Sequence, residues 1–353
     1  MVLFTIVLLL IVIFIEIISF FLFYKIKKSR RFVVGVEASE YISDQYLNQK
    51  KIDVAAKHAF EPRPYCLYWN SSNFFNNGYQ QTDTNGFRYK GYDILHQKSV
   101  FRALVYGGST TFSDQFVYDP KKCWPYLMEH LFNKSNLNKI EVINAGLNWA
   151  TSAELLSHFV FEGKNFNPDL LIIEGPGNDS LPIAHGDNSA DYRATRSSIT
   201  WQVRKYESFF LYYSKFFKLL YTFWLRDANL LSLDKPNELD ISEQNQLLLN
   251  TYPKTYEDNI NTFIQLAMQL NIKVVLIGFL PSHFVVNEGK KAVYRAMNEI
   301  LLNISRKFPN NVSYIDLKLS DFAKRDFADP GHLNEEGEIK KAQMIFNKLL
   351  FHL

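Results

Sequence analysis

Two short stretches hold side chains whose types and spacing could carry nucleophilic chemistry. GGSTTFSD at 107–114 sets Ser109 in a glycine-rich turn, and DPGHLNEEG at 329–337 sets Asp329 three residues before His332. A serine hydroxyl is a weak nucleophile; it needs an imidazole to take its proton, and the imidazole needs a carboxylate to fix its tautomer. Two further stretches offer donors for a developing oxyanion. In NAGLNWATS at 144–152, Gly146 can present an unobstructed backbone amide, and in EGPGNDS at 174–180, Asn178 can present a side-chain amide. With the Ser109 amide, this makes three donors that could converge on one oxygen. Asp179 reads as a brace for its loop. Taken singly, each feature has a plainer reading: a serine in such a turn caps helices, and an Asn-Asp pair after a strand makes turns.

These residues need elements to position them, and the hydropathy pattern supplies candidates. Five short apolar runs, at 102–108, 139–146, 169–175, 272–280 and 312–317, alternate with helical patterns near 121–132, 151–163 and 251–266. In the last of these, Ile260, Phe263, Ile264, Ala267 and Met268 recur at the spacing of one helix face. Near-continuous apolar strands separated by helices call for a parallel sheet covered on both sides, an α/β/α sandwich of about five strands. Ligands of such sheets bind beyond the carboxyl ends of the strands. Each of the four stretches falls just past one of these runs.

Around this body lie three other regions. Residues 2–24 form an apolar run broken only by Glu16, long enough for a transmembrane helix. It lacks the basic start and small-residue cleavage site of a signal peptide. The basic cluster Lys25, Lys27, Lys28, Arg30 and Arg31 follows it, which by the positive-inside rule places the body in the cytoplasm, although large downstream domains can override local charge. Residues 25–100 read as a basic juxtamembrane segment and a connector with short hairpins, marked by turn signals at Asn76–Gly78 and Asn85–Gly86. Residues 101–353 form the catalytic-type domain, interrupted at about 181–250 by an aromatic, helix-like insertion suited to packing on the core, closing over the site or meeting a membrane surface.

Composition excludes several classes. A net charge of +3, with acidic and basic residues interspersed, leaves no electrostatic footprint for nucleic acid. Cys66 and Cys123 can form one bridge or none. Metal spacings such as HExxH are absent, as are the glycine motifs that cradle nucleotides, so neither a metal nor a cofactor is implied.

The four stretches, in this order and each after an apolar run, resemble the four blocks of the SGNH/GDSL hydrolase family; NGFRYKGYD and GGSTTF further resemble its membrane-anchored bacterial members. The resemblance implies a flavodoxin-like sheet, Ser109, His332 and Asp329 as a catalytic triad, and Ser109, Gly146 and Asn178 as the oxyanion hole. Two positions depart from the pattern: Gly108 stands where the first block has aspartate, and Pro176 where the third has glycine. The implied activity is hydrolysis of an acyl ester, on a carbohydrate or a lipid. Two alternatives use the same scaffold: an O-acyltransferase that passes the acyl group to a hydroxyl, and a non-enzymatic anchored binding protein.

Overall fold

The five apolar runs become five parallel strands. The computed structural model describes residues 2–30, 59–63, 65–89, 100–135, 139–192, 195, 214–220 and 239–350, which form two units.

The larger unit begins with two hairpins. Strands β1 (Phe60–Arg63) and β2 (Cys66–Asn70) pair antiparallel, as do β3 (Phe75–Asn76) and β4 (Tyr79–Gln80). Asn77 and Gly78 join β3 to β4 with φ of 50° and 78°, the doubly left-handed turn for which an Asn-Gly pair is suited. The sheet follows: β5 (Phe101–Gly107), β6 (Ile140–Gly146), β7 (Leu170–Glu174), β8 (Lys273–Ile277) and β9 (Val312–Ile315). Its spatial order is β6-β5-β7-β8-β9 with every pair parallel, the flavodoxin-like arrangement. The chain winds outward one way from β5 to β6 and the other way from β7 on, so a crevice opens at the carboxyl ends of β5 and β7.

Alternation along β5 shows how both faces are covered. Ala103 and Val105 join a core with Trp124, Met128 and Phe132 of the helix Trp124–Lys134 and with Ile345, Phe346 and Leu349 of the helix Glu335–Leu349. Tyr106 faces the other way, edge-on to Phe159 of the helix Ser152–Phe161 and to Phe263 of the helix Lys254–Gln269. A further helix, Glu288–Lys307, buries Val293, Met297, Ile300 and Leu301. Side chains start these helices where they must: Thr151 and Glu154 form a capping box, and Asn334 accepts from Gly337 N. Cys66 and Cys123 are both buried free thiols, so the chain makes no bridge between them.

In the smaller unit, the helix Val2–Arg30 runs beyond the apolar stretch into the basic cluster, and its Phe4–Leu22 segment is long and apolar enough to cross a membrane. Glu16, the one charge in that segment, accepts from the Ser214 hydroxyl and, at 2.7 Å, from Lys215 N, capping the helix Lys215–Leu220. Most of the aromatic stretch expected to be helical, at 201–231, and residues 31–58 of the connector lie outside the described residues.

Candidate active site

Glycine ends β5 and serine opens the next helix. Ser109 is the first residue of the short helix Ser109–Phe112, with Gly108 as its extended N-cap. At that position the backbone N–H has no acceptor within the helix and points outward with the positive end of the peptide dipoles. His332 Nε2 lies 2.8 Å from Ser109 Oγ. On the other side of the ring, Nδ1 lies 2.8 and 2.9 Å from the two oxygens of Asp329. An ionised carboxylate can only accept, so Nδ1 carries the proton and Nε2 presents its lone pair to the serine hydroxyl. Asp329 Oδ1 also accepts from the backbone amides of Gly331 and His332, each at 2.7 Å, which locks the Asp-Pro-Gly-His turn around the ring.

The residues expected to supply oxyanion donors differ in what their N–H groups already bond. Asn178 sits in the 3-10 turn Gly177–Asp179; its Nδ2 donates to Ala150 O at 3.1 Å and lies beside the Ser109 turn, 3.5 Å from where a Cβ on Gly108 would stand. One of its two N–H bonds therefore remains for a ligand. Gly146 corrects the expectation. Its N–H is bonded to Asn144 Oδ1 at 2.9 Å, and a Cβ there would come within 2.4 Å of Phe112 N. It is glycine because the Ser109–Phe112 helix packs on it, and strand pairing continues through it to Gly107. The turn comes later, at Leu147–Ala150, closed by Ala150 N donating to Leu147 O at 3.2 Å, with Trp149 in the left-handed region at φ 66°.

With this geometry in hand, the comparisons with known proteins decide the family. A family model of the GDSL-like lipase/acylhydrolases matches residues 105–338. The chain belongs to the GDSL-like lipase/acylhydrolase family, whose members are hydrolases acting on ester bonds. Similar solved structures include a GDSL-like lipase from Bacteroides thetaiotaomicron, with 14% identity over 71% of this chain and 89% of that one and a TM-score of 0.39. A lipase/acylhydrolase from Enterococcus faecalis has 16% identity over 72% and 97%, with a TM-score of 0.42. An acetyl xylan esterase has 15% identity over 70% and 100%, with a TM-score of 0.44. Among curated proteins, none matches the chain.

Beneath Ser109, this GDSL-like hydrolase carries a buried ionic cluster. Lys341 Nζ reaches Glu174 at 2.7 Å and Thr110 O at 3.3 Å, and lies 4.9 Å from the centre of the Trp124 ring. Glu174 also accepts from the Thr111 hydroxyl. Glu338 accepts from Trp124 N at 2.7 Å and from the Ser113 hydroxyl at 3.1 Å. Burial pushes the Glu338 carboxyl up to about 7, against the pull of Lys341 and the Trp124 amide and helped by the charge of Glu174. Asp179 is the second raised carboxyl: burial lifts it to about 7, although Ser152 N at 2.9 Å, Ser152 Oγ at 2.6 Å and Tyr192 OH at 2.9 Å all donate to it. It does brace its loop, tying the Asn178 turn to the start of the helix Ser152–Phe161.

The connector contributes more than cover. Tyr68 OH donates to Asn148 O at 2.7 Å, Asn70 Nδ2 to Gly146 O at 2.9 Å, and Arg88 N to Asn144 O at 2.9 Å, so three of its residues clamp the carboxyl end of β6. At Ser109 itself, Thr110, Ser113, Gln115, Phe116, His332, Leu333 and Glu338 complete the lining of a small pocket that opens to solvent. His158, far from this centre, is a core residue: it stacks on Trp69 at 3.5 Å, holds the Tyr106 hydroxyl at 2.7 Å, and burial lowers it to about 3.

Proposed function

We propose that the chain is a membrane-anchored serine esterase that removes a short acyl group from an ester, with Ser109 as nucleophile, His332 as general base and acid, and Asp329 as the carboxylate that orients the ring. The observation that carries this reading is the unbroken contact series from Asp329 through Nδ1 and Nε2 of His332 to Ser109 Oγ, with 2.8 Å at both ends. In this reading, Oγ bonds to the acyl carbonyl carbon as its proton passes to Nε2. The negative charge gathers on the carbonyl oxygen, where the Ser109 N–H and the second N–H of Asn178 meet it. Collapse breaks the bond to the alcohol, which leaves with the proton from Nε2. Water then attacks the acyl-enzyme, giving its proton to Nε2, and the acid departs as Oγ takes that proton back.

The narrowness of the pocket at Ser109 supports an acyl group of a few carbons rather than a long chain. The helix Val2–Arg30, with Phe4–Leu22 able to span a bilayer, supports anchorage.

The test uses the full chain in detergent, with release of p-nitrophenol from its acetate and hexanoate and labelling by a fluorophosphonate. The wild type is expected to label and to turn over acetate faster than hexanoate. Ser109→Ala and His332→Ala are each expected to lower kcat by roughly 10³–10⁶-fold. A folded wild type that neither labels nor turns over rules the reading out.

A further inference from the structure

Glu16 breaks an otherwise apolar helix well inside its own span. It lies six positions before Leu22, about 9 Å along the axis at about 1.5 Å per residue, whereas the hydrocarbon of a bilayer is about 30 Å deep. With Phe4–Leu22 spanning, the carboxylate stands in hydrocarbon, where a charge is costly and must find a partner. The rest of that segment faces outward: from Phe4 to Leu22 every side chain is exposed except those of Glu16 and Ser19. These two stand one turn apart, and Ser19 is 4% exposed, so a single narrow face of the anchor is covered.

The chain that meets Glu16 comes from 198–200 positions further on. Ser214 donates its hydroxyl to one oxygen of Glu16, and Lys215 N and Phe216 N donate to the other at 2.7 and 3.4 Å. Phe217 N donates to Ser214 Oγ at 3.0 Å. The amides that open the helix Lys215–Leu220 have no acceptor within it, yet each of the first three has one here. Water satisfies such amides at a protein surface; hydrocarbon does not, so a helix that begins in lipid needs acceptors brought to it. The same turn carries Phe216 and Phe217, 38% and 39% exposed, as apolar as the span beside them. Lys215 brings a positive charge to the level of the carboxylate, so the two charges enter together.

We propose that Ser214–Leu220 is a second membrane element, which dips into the bilayer beside the anchor, docks on Glu16 and turns Phe216 and Phe217 to the lipid acyl chains. Its partner is the hydrocarbon of the bilayer itself. The residues before 197 and after 234 belong to the larger unit, so the segment leaves that unit and returns to it, as a re-entrant element does and a single crossing does not. In these residues the insertion serves the membrane rather than a lid. This assignment rests on the membrane-anchored part of the reading above.

The experiment places one cysteine in the full chain: Phe216→Cys or, as a water-exposed reference, Val286→Cys, at a side chain that is 69% exposed. The native thiols are buried, so a maleimide fluorophore goes to the added one. Each labelled chain is reconstituted in phosphatidylcholine vesicles and quenched from the lipid by a nitroxide midway along an acyl chain, and from water by iodide. Nitroxide is expected to quench the label at 216 at least about threefold more strongly than the label at 286, with the order reversed for iodide. Adding Glu16→Leu, which removes the acceptor and makes the anchor more apolar, should bring the label at 216 to the reference values. Glu16→Gln, which keeps an acceptor oxygen, should not. A label at 216 as open to iodide as the reference, in a chain that floats with the vesicles, overturns the proposal, as does one that Glu16→Leu leaves unmoved. A chain that does not float with the vesicles removes the anchor and this proposal with it, and leaves the esterase reading to its own assay.

Discussion

Asp329 and Glu338 lie nine residues apart, one against His332 and the other against Ser113 at the end of the Ser109 helix, and their surroundings send them in opposite directions. Burial alone would raise Asp329, but the hydrogen bond and attraction of the His332 ring, with the amides of Gly331 and His332, hold it below the usual carboxylate range. Glu338 is pushed up to about 7 by burial that its partners do not offset. The difference lies in how many donors each oxygen receives. Asp329 Oδ1 alone takes two amides and a ring N–H. Glu338 Oε2 takes one amide and one hydroxyl and shares the influence of Lys341 with Glu174. A carboxylate meant to stay charged beside an imidazole is saturated with donors, whereas one that fills a structural seat is left to titrate.

The sharpest way to break this comparison is to remove the charge of Asp329 and keep its shape. In Asp329→Asn the amide can donate to Nδ1, which favours the tautomer whose proton sits on Nε2 and faces Ser109. We expect kcat to fall by about 10⁴-fold with little change in melting temperature, the size seen when the same change is made in serine-protease triads. Steady-state kinetics on a short-chain ester would check it. A loss under about tenfold would mean that the backbone amides, not the carboxylate, set the ring.

The two carboxylates also differ in how well the sequence announced them. Asp329 was legible because the serine, histidine and aspartate types have one shared use and each stretch follows an apolar run; the five strands fell within three residues of the runs at every end because a buried parallel strand is almost wholly apolar. Glu338 and Lys341 were not read, yet a signal existed. Both stand on the stripe that buries Ala342, Ile345 and Leu349, so a helical projection places two charges on the inward face. Glu174 gave a similar sign, a charge closing an otherwise apolar strand. Gly146 misled because a glycine's identity does not say whether it is needed for an exposed amide or for close packing; only the approach of Phe112 distinguishes them. Trp149 was unreadable for the converse reason, since nothing in the residue type reports a left-handed backbone.

A second way to sharpen the comparison is to remove the cation that two buried carboxylates share. Lys341→Met keeps the length of the side chain and its packing on Trp124, but leaves Glu174 and Glu338, 1% and 2% exposed, with no ammonium between them. Taking one partner from a buried ion pair usually costs about 3–5 kcal/mol, and we expect a loss of that order in chemical denaturation. A loss under about 1 kcal/mol would mean that the remaining hydrogen bonds of Glu174 and Glu338 hold the cluster without the lysine's help.

The smallest effect tests the claim that Glu338 titrates where Asp329 does not. With its native value raised from 4.5 to about 7, Glu338 keeps a proton in the folded chain that the unfolded chain releases. Its contribution is therefore full below pH 4.5 and is lost as pH rises through about 7. Between those limits one such group changes stability by at most about 1.4 kcal/mol per pH unit. Glu338→Gln has no proton to lose, so its unfolding midpoint should fall less steeply than the wild type's between pH 5 and 8. Asp179, raised from 3.8 to about 7, acts with the same sign and remains in that variant, so the slope should lessen rather than vanish. Adding Asp179→Asn should flatten it further. Parallel wild-type and Glu338→Gln curves would show that Glu338 is charged throughout, and the contrast with Asp329 would then be one of position rather than of protonation.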